Sequence, residues 1–144
     1  MKIFALLFFF VGSSICAHAA DFDARKVFGT SPGRDLDAAL KRAAKENQRV
    51  VLFTYDPKDG GIYPGSDITF FMDLLETKKL VKENFIVVLL TRGHKDLVRY
   101  PSPGAPEKAY YVLFRRDGKV AKTEMVSRNG DGGLKTVKEW LATP

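Results

Sequence analysis

Three carboxylates, Asp56, Asp59 and Asp67, stand with Tyr55 and Tyr63 in and beside one loop-forming stretch of the chain. Clustered carboxylates invite a cation, but this spacing lacks the regular oxygen pattern and terminal glutamate of a calcium-binding loop. The expected role is to cap and solubilise a long loop, with no metal site. His94 supplies the one imidazole beyond the first twenty residues, so a histidine-based zinc cluster is not available. Paired with acidic loop residues, His94 would be the acid–base group of a hydrolase, although no Gly-x-Ser-x-Gly elbow presents a nucleophile. Arg92, His94, Lys95 and Arg99 form a basic loop that runs into Tyr100, and Tyr110 and Tyr111 follow shortly after. Strand alternation leaves one of that tyrosine pair free to point outward. Basic and aromatic groups together are the residue classes that anchor protein interfaces. Gly130-Asp131-Gly132-Gly133 lacks the Lys-Ser/Thr pair of a phosphate loop. No cofactor is implied.

The remaining reactive residue is Cys16, the only cysteine among 144 residues. It sits in a tripartite opening: Lys2, an apolar run from Ile3 to Val11, and a small-x-small ending at Ala17-His18-Ala19. That pattern is a cleaved export signal, too short in its apolar part to span a bilayer comfortably. Cleavage after Ala19 would remove the cysteine and leave a periplasmic or secreted chain with no thiol and no stable membrane insertion. Ile15 before Cys16 argues against a lipoprotein. The formal net charge is +6, and loss of Lys2 lowers it by one. The excess is dispersed, which suits solubility or an acidic partner and not nucleic acid.

These residues need a scaffold, and hydrophobic periodicity outlines one. Residues 20–34 read as a lead-in segment, with a candidate edge strand around Arg25–Phe28; residues 35–144 read as one domain. Leu36, Ala39, Leu40 and Ala43 recur at helical spacing behind a capping Asp35, and the helix should stop near Asn47. Val50–Tyr55 and Phe85–Leu90 are apolar runs without polar alternation, the mark of strands buried on both faces. A helical region from about Asp67 to Glu83 joins them, with Thr77 placed to cap a continuation, so the two strands should be parallel. Three prolines rule out regular structure over much of 92–108. Ala109–Phe114, the turn Arg115-Arg116-Asp117-Gly118 and Lys119–Val126 form a hairpin. After a glycine-rich loop, Leu134, Val137, Lys138 and Leu141 mark a last helix, with Trp140 at or beside its buried stripe.

Val50-Val51-Leu52-Phe53, the junction Leu80–Val87 with its Asn84-Phe85 step, and the hairpin Val112–Val120 resemble the matching segments of exported thioredoxin-like proteins. The resemblance covers roughly Asp35 to Leu141. It implies an α/β three-layer sandwich around a mixed four-stranded sheet, with the N-terminal edge strand as a candidate fifth. Redox-active members carry Cys-x-x-Cys after the first central strand, where a helix N-terminus activates one thiol and the second resolves the mixed disulfide. The matching stretch, Asp59-Gly60-Gly61-Ile62-Tyr63-Pro64, has no cysteine, and the position of the family's cis-proline falls near Ala109 or Tyr110. The implied function is a non-redox exported module that binds a protein or peptide partner of the cell envelope. Tyr55, Asp56, Asp59, Tyr63, Asp67, Arg92, His94 and Tyr110 are its candidate contacts. The rival functions are the His94-based hydrolase and a structural or small-molecule-binding domain. N-terminal sequencing of the exported protein should begin Ala20-Asp21-Phe22; a start at Met1 would refute cleavage.

Overall fold

The computed structural model describes residues 22–58 and 62–144. A four-stranded sheet holds the order β2-β1-β3-β4. Its strands are β1 (Arg49–Tyr55), β2 (Phe85–Thr91), β3 (Tyr110–Phe114) and β4 (Val120–Met125). β1 is parallel to β2 and antiparallel to β3, so the expected placement of all four strands is met.

Alternation along β1, β2 and β3 divides the core in two. Val51, Phe53, Val87, Leu89, Tyr111 and Leu113 share one cluster with Val27, Phe28, Ile68, Phe71, Val81, Val137 and Trp140. Val50, Leu52, Ile86, Val88, Leu90, Tyr110, Val112 and Phe114 share the other with Leu36, Ala39, Ala43 and Leu97. Both sets are apolar because both faces are covered, which is why these strands lack polar alternation. Tyr110 and Tyr111 therefore point to opposite faces and both are buried, against the expectation that one would face solvent.

The helices follow their caps. α1 (Ala24–Phe28) occupies the stretch expected as an edge strand. Asp23 accepts the Lys26 amide, Gly29 closes the helix in the left-handed region at φ 68°, and Val27 and Phe28 are buried. The edge position is reached instead by Gly33, which makes an isolated parallel bridge to Val88. α2 (Leu36–Glu46) begins behind Asp35 and ends at Asn47. The region expected as one helix with a continuation at Thr77 is α3 (Ser66–Phe71) and α4 (Leu75–Asn84), and the break falls at Met72–Leu74. Thr77 lies inside α4, buried, with its hydroxyl unpartnered among the described residues.

α5 (Gly130–Ala142) starts within the glycine-rich stretch that the sequence suggests is a loop. Asn129 caps it by accepting the Gly132 amide at 2.6 Å. The glycines are there for contact, since a Cβ on Gly133 would lie 2.0 Å from the Phe71 carbonyl oxygen. That approach seats Trp140 in the core, fully buried, with ring centroids of Tyr111 at 4.7 Å, Phe85 at 5.6 Å and Phe71 at 5.7 Å. Each such pair contributes about 0.5–1.5 kcal/mol beyond the area it buries. In an open helix, Gly→Ala stabilises by roughly 1 kcal/mol through propensity. Here Gly133→Ala should instead destabilise by about 1–3 kcal/mol, the usual cost of overpacking, as read from urea unfolding. A stabilised variant would contradict the α3–α5 contact.

Candidate functional site

The carboxyl end of β1 is built from Tyr55 and Asp56, and β2 ends beside it at Thr91. Arg92 ties these ends together twice. Its amide donates to the Tyr55 carbonyl at 2.8 Å, and its guanidinium meets the Asp56 carboxylate at 2.6 Å. The other Asp56 oxygen accepts the Lys58 amide at 2.8 Å, an Asx-type turn that starts the loop. That amide and then Arg92 hold the Asp56 carboxyl below its ordinary value of 3.8. Tyr55 is half-buried, its ring 5.0 Å from that of Phe22.

Asp59, with Gly60 and Gly61, lies outside the described residues. The chain resumes at Ile62, whose side chain is 72% exposed. Tyr63 lines a cavity of about 330 Å³ with Phe22, Lys26, Val27, Thr69 and Asp73. Its carbonyl accepts the Ser66 amide at 3.0 Å, and Gly65 enters α3 in the left-handed region at φ 76°. Phe22 packs so closely that a Cβ on Gly65 would lie 2.6 Å from its ring. In the first turn of α3, Asp67 is buried and pairs with Arg128 at 2.7 Å. The side chains of Arg92 and Arg128 are both about half exposed.

The structure thus gathers Tyr55, Asp56 and Arg92 at the strand ends and sets Tyr63 and Asp67 at the entry to α3. It does not bring His94 into this group. His94 caps the 3-10 turn η1 (Lys95–Arg99), where its Nδ1 accepts the Asp96 amide at 3.2 Å. The cavity beside it, about 350 Å³, is lined by Arg34, Asp35, Asp37, Lys41 and Asp96, and Asp56 is not part of that wall. The acid nearest to His94 is Asp96 of its own turn, whose carboxylate lies 3.7 Å from Nδ1, and not Asp56. Tyr110 stands apart too, buried beneath η1 with its hydroxyl donating to the Tyr100 carbonyl at 2.7 Å. Among the described residues no group of three or more His, Cys, Asp or Glu side chains could hold a metal ion.

Arg128 and Phe22 were not legible as site residues. Arg128 is one of 23 basic residues, and its partner is far away in sequence. Phe22 precedes the expected domain start.

The fold agrees with solved structures. The C-terminal domain of Neisseria meningitidis DsbD matches in its oxidised form with a TM-score of 0.55 and 20% identity over 79% of this chain and 100% of that one. Its reduced form matches with a TM-score of 0.53 and 21% identity over 76% and 94%. A thioredoxin from Thermus thermophilus matches with a TM-score of 0.58 and 18% identity over 75% and 85%. The fold is thioredoxin-like. No family model and no curated protein sequence matches the chain. With a single cysteine in the entire sequence, a Cys-x-x-Cys pair is impossible, and disulfide exchange through such a pair is excluded.

Because the folded pKa of Asp56 is depressed, its stabilising contribution is complete above the unfolded value and disappears as pH falls through the folded one. Urea midpoints of the parent chain should therefore drop more steeply below about pH 4 than those of Asp56→Asn. Parallel profiles would show that neither the Lys58 amide nor Arg92 holds the Asp56 carboxylate in solution.

Proposed function

We propose that this chain is an exported, non-redox thioredoxin-like module that binds a protein or peptide partner at the carboxyl end of β1. The observation that carries the reading is the surface at the position of the family's thiol pair. There the exposed Ile62 immediately precedes Tyr63, which lines the cavity, and the half-exposed side chains of Arg92 and Arg128 lie on the loops after β2 and before α5. An apolar anchor beside a concave wall of mixed charge, with Lys26 and Lys78 facing Asp23 and Asp73, is chemistry for a peptide carrying an apolar side chain flanked by polar groups. Asp56 and Asp67 act within the module, since each is engaged by an arginine. Export follows from the signal-like first nineteen residues. Among the described residues no helix is long and apolar enough to cross a membrane.

Affinity capture from an exported fraction tests the reading. The parent chain should retain a saturable partner, while Ile62→Asp and Tyr63→Ala should each lose most of it at unchanged thermal midpoint. Tyr110→Phe, altered only at a buried hydroxyl, should bind as the parent does. Equal capture by Ile62→Asp and the parent would refute this surface.

A further inference from the structure

The opposite end of the sheet carries a second feature, independent of that surface. β2 is an edge strand, and edge strands present alternate backbone groups outward. Gly33 takes two of them: its amide donates to the Val87 carbonyl at 2.8 Å and its carbonyl accepts from Leu89 at 2.9 Å. By alternation, the Phe85 carbonyl and Val87 amide face the same way. Among the described residues neither has a backbone partner outside the sheet ladder, whereas the Phe85 amide is used by the Val81 carbonyl. Beside them lies a groove of about 410 Å³, walled by Thr30, Ser31, Arg34, Arg42, Lys82 and the start of β2.

The groove is where this chain would lie if it ran on as a strand upstream of Gly33, and Pro32 interrupts that course. A residue from elsewhere, running parallel to β2, can repeat the two bonds Gly33 makes, two positions earlier. An antiparallel residue opposite Val87 would make only one, because the Val87 carbonyl is taken. Charge selects the occupant. Arg42 is paired with Glu46 at 2.9 Å. Asp35, which accepts the Ala38 amide at 2.9 Å, keeps its negative charge and offsets one of the two remaining cations, which leaves the groove net positive. Arg34 and Lys82 are exposed and carry no ion pair among the described residues. A second copy would bring the same net positive charge against this groove. We propose that the β2 edge at Phe85–Val87 is a docking site for a short extended acidic peptide, which adds parallel to the strand.

The probe is a labelled peptide of alternating glutamate and valine, titrated against the full chain by fluorescence anisotropy. Its comparators are the lysine–valine counterpart and a backbone N-methylated glutamate–valine peptide. The acidic peptide should bind at least about tenfold tighter than the lysine peptide at low salt, with the preference shrinking as salt is raised. N-methylation should abolish binding, and the Val87 amide should exchange more slowly in the complex. Arg34→Glu, alone and with Lys82→Glu, should remove the preference at unchanged urea midpoint. Tyr63→Ala should leave it intact, which separates this site from the one at the end of β1. Equal binding of both charges, an unchanged Val87 exchange rate, or peptide-free dimers with Val87 already protected would overturn the proposal.

Discussion

A carboxylate taken out of water must be paired, because the uncompensated charge would cost several kcal/mol. Asp67 is 5% exposed, and Arg128 meets that requirement. The pairing has structural reach. Asp67 belongs to the first turn of α3, and Arg128 stands immediately before the cap of α5. One ion pair thus registers the two helix starts against each other, and the close packing of Gly133 on Phe71 continues that register into the core. Gly65, which opens α3, offers no side-chain cap, so this helix start relies on tertiary contacts for its position.

Asp56 and Arg92 repeat the device where β1 and β2 end. Together the two pairs bracket the loop that follows β1. Asp56 and Asp67 each turn onto an arginine. The scaffold that remains is complete without disulfide chemistry. β1, β2 and β3 are covered on both faces, by α1, α3, α4 and α5 on one side and by α2 and η1 on the other. Burial of so many aromatic side chains supplies the stability that a domain of this size needs, at about 1.5–3 kcal/mol for each large side chain removed from water.

The strands and α2 were legible because their determinants are local. Unbroken apolar runs such as Phe85–Leu90 specify burial on both faces, and Asp35 and Asn47 punctuate α2. The misread segments depend on tertiary partners. Arg25–Phe28 is too short for periodicity to separate helix from strand, and the deciding fact is that Val27 and Phe28 bury together beneath α4. The glycines at 130–133 suggest a loop by propensity, yet the helix extends through them because only glycine admits the Phe71 carbonyl. The break before Leu75 carries no capping residue, since Leu74 holds that position. At the site, Asp56, Tyr63 and Asp67 could be placed from their position after β1. Their arginine partners depend on which loops the sheet order brings together. His94 and Tyr110 show the converse: chemically suggestive side chains consumed by a helix cap and a core hydrogen bond.

The central claim, that an ion pair between the buried Asp67 and the half-exposed Arg128 sets the start of α3 against α5, is open to a double-mutant cycle on Asp67→Asn and Arg128→Met, read by urea unfolding. The account predicts a coupling energy of at least about 1 kcal/mol, above the range of most exposed pairs. Additivity of the two substitutions to within roughly 0.3 kcal/mol would mean that Asp67 is held by something other than Arg128, and would contradict it.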